Sequence, residues 1–294
     1  TGTLNGFSLN GATSNWIAFS PTLSNNAPAT FPKGITTVTW TAKDDSGNTE
    51  TCQQTVTVVD NQAPTLANPG NQALNTGLNS CTANYTIADP VSDNCTGSTW
   101  SASFSGNANG NPANISNIAD GTGSGVISFN KGVTTVVLSA TDGTNNATTV
   151  SFTVTVTDNI VPTISGCPVN LSTNTAAGQC TQDYAIPAPT TLADNCAGPL
   201  TWNATFSGNA INPANLTGLA NGAPSSSLPF GKGATTVTLT ATDAAGNTST
   251  QTCSLVVTVT DNEKPQITCA GPVTVNTTAE LCTGTATLTA PTVT

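Results

Sequence analysis

The stretch "TTVTLTATD", residues 235–243, alternates apolar and polar positions with period two. Val237, Leu239 and Ala241 fall on one side and threonines on the other. This is the pattern of a strand with one face turned inward and one toward water. The same alternation returns at Val56 and Val58, at Val154 and Val156, and at Val257 and Val259. Threonine is β-branched and suits the outer face of a pleated sheet. Gly and Asn punctuate the turns, as at Gly246-Asn247. No segment shows a convincing apolar stripe at helical spacing.

The strand pattern itself repeats. "KGATTVTLTATDAAGN" (232–247) has counterparts in "KGITTVTWTAKDDSGN" (33–48) and "KGVTTVVLSATDGTNN" (131–146). The phrase Asp-Asn-x-x-Pro occurs at Asp60–Pro64, Asp158–Pro162 and Asp261–Pro265, at intervals of 98 and 103 residues. "DNC" (93–95, 194–196), the Trp100 and Trp202 phrases and "NPAN" (111–114, 212–215) keep the same spacing. A unit of about a hundred residues has the size of a β-sandwich domain and exceeds a helical solenoid repeat. The fold class expected is all-β: tandem immunoglobulin-like antiparallel β-sandwich domains. Residues 1–60 are expected to hold the later strands of one domain. Residues 61–158 and 159–261 read as complete domains, and 262–294 as the first two strands of a fourth. Each sixteen-residue phrase becomes the penultimate strand and the loop to the last, and the two tryptophans read as core aromatics.

Composition narrows the function classes. Charged residues make up 7% of the 294, against about 25% in an ordinary soluble protein. The net charge is −10 and the only basic residues are five lysines, which argues against a nucleic-acid partner. Histidine is absent, so triads of the Ser-His or Cys-His type are impossible within this sequence. No apolar run approaches the length of a membrane span, and the opening residues do not read as a signal peptide. Those residues read as mid-domain, so the chain is expected to be part of a longer array. Nine cysteines, none in a C-x-x-C pair, fit an oxidising compartment better than a metal site.

The combined motifs resemble the hyalin repeat (HYR) domain: a D-N-x-x-P start, then C-P, G-x-C, D-N-C, a G-x-T-x-V strand and a G-N-x-x-x-C end. Residues 159–261 carry nearly all of these. Residues 61–158 carry most, with Asn68 at the first cysteine position and no cysteine after Asn146. The resemblance implies immunoglobulin-like extracellular modules associated with adhesion. Long Thr/Asn-rich arrays of this kind also look like bacterial surface proteins, including the giant gliding adhesins of the Bacteroidetes group.

Within 159–261 the four cysteines are Cys167, Cys180, Cys196 and Cys253. The preceding repeat keeps the second and third, as Cys81 and Cys95, and lacks the first and fourth. The scheme that leaves no orphan in either repeat is Cys167–Cys253, Cys180–Cys196 and Cys81–Cys95. A strand of six residues rises about 20 Å, so Cys180–Cys196 requires a short or bent strand between them. Cys196–Cys253 stands as the rival.

In a sandwich, two loops and the domain entrance lie at the same end. Asp60, Asp93 and Asp142 are expected to meet there in one repeat, and Asp158, Asp194 and Asp243 in the next. Converging carboxylates suit Ca²⁺, which would be an interdomain ion and the chain's cofactor. The alternative is that these residues cap their own turns. Lys33, Lys131 and Lys232 each precede a Gly, which reads as a turn into a strand. The function expected is a structural and adhesive segment of an extracellular, cell-surface fibre, with no enzymatic role. Its partners would be neighbouring repeats, surface polysaccharide or other cells. Two alternatives remain: a carbohydrate-binding accessory region of a secreted enzyme, and a strand-exchanged filament subunit.

Overall fold

The alternating runs form strands. The computed structural model describes residues 3–10, 30–43 and 47–293, and there is no helix among them. Parts of the expected 1–60 segment (residues 1, 2, 11–29 and 44–46) lie outside the described residues. The protein is all-β and built of tandem sandwich-type repeats.

Two compact units are present. One comprises Thr1–Leu74 and Asn84–Val156; the other comprises Thr157–Thr294 together with Asn75–Ala83. One pattern of nine strands runs from Thr65 to Thr157 and again from Thr163 to Thr260. In the second run a five-stranded sheet has the order Leu171–Asn174, Cys253–Thr260, Gly233–Thr242, Thr201–Ser207, Leu216–Ala220. Leu171–Asn174 lies parallel to Cys253–Thr260, with Leu171 opposite Val257. The remaining neighbours are antiparallel. Thr181–Ala185 with Ser227–Gly231, and Thr163–Ser165 with Thr191–Ala193, form two further strand pairs. The first run repeats this order with Gln72–Asn75, Ala147–Thr157, Gly132–Thr141, Thr99–Ser105 and Ile115–Ala119.

Period-two alternation decides which side chains are buried. Along Gly233–Thr242, Val237, Leu239 and Ala241 are buried while the threonines at 236, 238 and 240 are only partly covered. Trp202, Ile186, Phe230, Leu255 and Val257 are among the residues that join them in the core of that repeat. Each large apolar side chain removed from water contributes about 1.5–3 kcal/mol. Trp202 donates its indole N–H to the Ala223 carbonyl at 3.1 Å, and Trp100 donates to Thr122 at 3.0 Å. Phe230 meets Tyr184 and Phe206 edge-on at 6.5 and 5.9 Å; Phe129 meets Tyr85 and Phe104 at 6.5 and 5.7 Å. The two repeats therefore share their core contacts as well as their strand order.

The Lys-Gly turns share one backbone state. Gly34, Gly132 and Gly233 have φ of 114°, 123° and 118°. Residues with a Cβ rarely adopt that region. At Gly132 an added Cβ would also come within 2.7 Å of the Asn107 side chain. At the two ends of the chain, Thr3–Asn10, Gly34–Lys43 and Thr49–Val58 form an antiparallel three-stranded sheet. Past Asp261 the strands are Ile267–Thr268 and Thr292–Val293, and Val273, Val275, Leu281 and Leu288 are exposed.

Candidate functional site

The segment Asn75–Ala83 belongs by sequence to the repeat 61–158, yet it is part of the unit that carries Thr157–Thr294. It is a tight hook. The Gly77 N–H donates to the Thr82 carbonyl at 3.0 Å, and the Ser80 N–H donates back to Gly77 at 3.3 Å. The strand before it ends when the Thr76 N–H takes the Thr157 carbonyl at 3.0 Å. The Thr76 hydroxyl donates to Asp158 Oδ1 at 3.2 Å, and both residues are buried. Asn195 holds the hook from the other side: its amide Nδ2 lies 3.2 Å from Thr76 Oγ1, 3.1 Å from the Gly77 carbonyl and 3.2 Å from the Ser80 carbonyl.

A disulfide closes this clamp. Cys81 is bonded to Cys196, with Cα atoms 4.7 Å apart, and Cys167 to Cys253, with Cα atoms 5.2 Å apart. The expected Cys81–Cys95 and Cys180–Cys196 pairs are not formed, nor is the rival Cys196–Cys253; Cys95 and Cys180 are free thiols. The reason lies in the strand after each hook. Thr181–Ala185 leads away from Cys180 for five residues, about 17 Å of rise. A disulfide needs Cα atoms within about 7 Å. The bridge crosses repeats instead: the second cysteine of one repeat bonds the third cysteine of the next.

The acidic residues divide into two groups. One carboxylate oxygen from each of Asp60, Asp93 and Asp142 lies within 4.8 Å of the others. The corresponding second group is Asp158, Asp194 and Cys196, whose sulfur is already in the disulfide. Asp243, expected as the third carboxylate, is outside that group and connects to it through Asn247. The Asn247 Nδ2 donates to Asp243 Oδ2 at 2.8 Å and to the Asp158 carbonyl at 3.2 Å. Asn146 does the same between Asp142, at 2.7 Å, and the Asp60 carbonyl, at 3.2 Å. Each Asp also receives backbone N–H groups from its own turn. These turns act as clips that tie the end of one long hairpin to the D-N-x-x-P entrance of the same repeat.

The electrostatics follow from those donors. Burial pushes the Asp142 carboxyl up. Hydrogen bonds from the Asn146 side chain, the Thr144 N–H and hydroxyl, and the Asn146 N–H outweigh it and bring the pKa to about 2. The Cys95 thiol, the Gln62 N–H and Lys33 hold Asp60 below the usual carboxylate range, against a smaller opposing effect of burial. The same thiol-to-carboxylate hydrogen bond, with burial, pushes the Cys95 pKa up. Lys33 Nζ lies 3.3 Å from Asp60 Oδ2, and Lys232 Nζ lies 3.3 Å from Asp261 Oδ2. The lysine of each of these Lys-Gly turns thus reaches the aspartate of a D-N-x-x-P entrance. Asp93 Oδ1 and Asp194 Oδ1 are buried and have no hydrogen-bond partner.

The motifs also connect the chain to known proteins. Residues 13–58 match the HYR domain family. That match includes the first copy of the sixteen-residue phrase, so the chain carries an HYR-like domain. Over 253 residues the chain is 30% identical to Hyalin of Strongylocentrotus purpuratus, which covers 83% of this chain and 18% of that protein. The chain thus spans less than a fifth of the curated relative that it matches. Among solved structures, protocadherin gamma B2 extracellular cadherin domains 3–6 align with 87% of this chain and 67% of theirs, at a TM-score of 0.37 and 16% identity. The human desmocollin-1 ectodomain aligns with 90% of this chain and 60% of its own, at a TM-score of 0.32 and 15% identity.

Proposed function

We propose that the chain is a segment of an extracellular adhesive fibre. Its hundred-residue sandwich repeats act as spacers and as multivalent contacts. The observation that carries this reading is the reuse of one strand order, one aromatic core and one hook ring in successive repeats. The HYR match at 13–58, the similarity to Hyalin and the two disulfides support an extracellular, adhesion-type protein. Attachment to a cell surface, and a role like that of a gliding adhesin, are the finer form of the same proposal. Neighbouring repeats are the first partners, and weak single contacts to polysaccharide or other cells would add through avidity. Among the described residues no helix is long and apolar enough to cross a membrane.

A sugar-binding accessory role would use exposed flat aromatics, but Trp100 and Trp202 are buried. Electron microscopy of the native assembly tests the fibre. A beaded thread one repeat wide is expected. A helical polymer of short copies would replace this reading with strand exchange, and compact particles would overturn both.

A second reading, calcium at Asp60, Asp93 and Asp142, is favoured by the buried, unpartnered Asp93 Oδ1. Ca²⁺ takes six to eight oxygens, and here it would compete with Lys33 for Asp60. Melting in calcium and in chelator tests it: a rise in Tm with calcium supports the site, and an unchanged Tm disposes of it.

A further inference from the structure

The hook occurs three times in the sequence, as "NTGLNSC" (75–81), "NTAAGQC" (174–180) and "NTTAELC" (276–282). Its backbone ring is the same each time. Gly77 to Thr82 at 3.0 Å becomes Ala176 to Thr181 at 2.9 Å and Thr278 to Thr283 at 2.9 Å. The return bond is made by Ser80, Gln179 and Leu281. A cysteine precedes the residue that closes each ring: Cys81, Cys180 and Cys282. The D-N-C loop that receives the first hook also has an earlier copy, Asp93-Asn94-Cys95.

Bridged and unbridged copies differ in a consistent way. In the bridged copy Thr76 Oγ1 is hydrogen-bonded, Asn195 is half-buried and Cys196 is buried. In the second hook the equivalent Thr175 Oγ1 is buried with no partner, and Cys180 is an exposed thiol. In the earlier loop Asn94 is exposed and Cys95 is a half-buried thiol. The missing partner in each case is the other half of the same clamp.

We propose that Cys81–Cys196 is one link of a running series in which each hook docks on, and bonds covalently to, the D-N-C loop of the following repeat. Cys180 then takes the D-N-C cysteine of a further repeat of this type, and Cys95 takes the cysteine of a preceding hook. Hook to loop is a heterologous contact, in which each repeat offers one surface to the repeat before it and a different one to the repeat after it, so the same bond can recur along a series. Two thiols and one small-molecule disulfide, such as oxidised glutathione, give one protein disulfide and two small thiols. The docking hydrogen bonds raise the local concentration of the correct pair. The inference concerns covalent linkage and does not depend on what the fibre adheres to.

The chain itself supplies both halves. Copies in which the exposed Cys52, Cys269 and Cys282 are replaced by Ser are incubated in a glutathione redox buffer. They are read by non-reducing electrophoresis and by mass mapping of linked peptides. A ladder of oligomers is expected, with the Cys180 peptide joined to the Cys95 peptide. In that background Cys180→Ser alone and Cys95→Ser alone each stay monomeric, while their mixture stops at dimers. Asn94→Ala, with both thiols intact, slows linking several-fold, because Asn94 is the counterpart of the residue that grips the hook. Monomers throughout, a ladder that survives Cys180→Ser, Cys180–Cys180 linkage, or an unaltered rate in Asn94→Ala would each overturn the proposal.

Discussion

At Asp194-Asn195-Cys196 the loop grips a hook through an amide and a disulfide. At Asp93-Asn94-Cys95 the same three residue types hold no hook among the described residues, and the Cys95 thiol turns to the Asp60 carboxylate instead. The strand order and core around the two loops are shared, so the difference does not arise from the sandwich. It arises from whether a hook is present to satisfy the loop. A polar side chain that is spare in one copy is a structural bond in the other. The D-N-C triplet is therefore half of a contact, completed only by another repeat.

The comparison can be broken most severely at the cores, which should behave alike. Trp100→Ala and Trp202→Ala should each cost about 3–5 kcal/mol, read by denaturant unfolding of single variants. Equal costs would confine the asymmetry to the hook and loop, and a large inequality would place it in the sandwiches. Next comes the bridge. Cys196→Ser removes a disulfide and should cost about 2–4 kcal/mol. Cys95→Ser keeps a donor toward Asp60 and should stay within about 0.5 kcal/mol of the parent. The amide contrast is smaller. Asn195→Ala strips the hook of its side-chain donor and should cost about 1–3 kcal/mol, whereas Asn94→Ala, on an exposed residue, should be nearly silent in the same melt. Thermal melts across the pH range give the smallest effect. The folded-state pKa of Asp142 is about 2 and that of Asp60 is lowered, against an unfolded value of about 3.9. Their contribution is therefore complete only above about pH 5 and is lost as the pH falls through the folded values, about 2 for Asp142. Asp142→Asn should flatten that acid limb; an unchanged limb would remove the clip from the account.

The strands could be read directly, since Val237, Leu239 and Ala241 alternate with threonine, and the core tryptophans followed from their place in the repeat. The clips at Asp142 and Asp243 were also accessible, because Asp and Asn in turns bind their own backbone. The disulfide pairs were less accessible. Loss of the first and fourth cysteines from 61–158 is compatible with pairing inside a repeat. It is equally compatible with pairing across repeats, where the second and third find partners in different neighbours. The signals for Thr76 and Asn195 in the sequence are the recurring N-T-x-x-x-x-C and D-N-C phrases. Loop position alone does not distinguish a carboxylate in a cluster, such as Asp194, from one that reaches it through an asparagine, such as Asp243.

By itself the sequence determined an all-β array, its hundred-residue period and the inward face of each strand. These follow from local alternation and from repetition, which are written along the chain. Tertiary structure alone decided that residues 75–83 join the unit of the following repeat and that Cys81 meets Cys196. Those contacts depend on where a hook lies after two strands have been laid into different sheets. Distances of that kind arise from packing, and no local pattern encodes them.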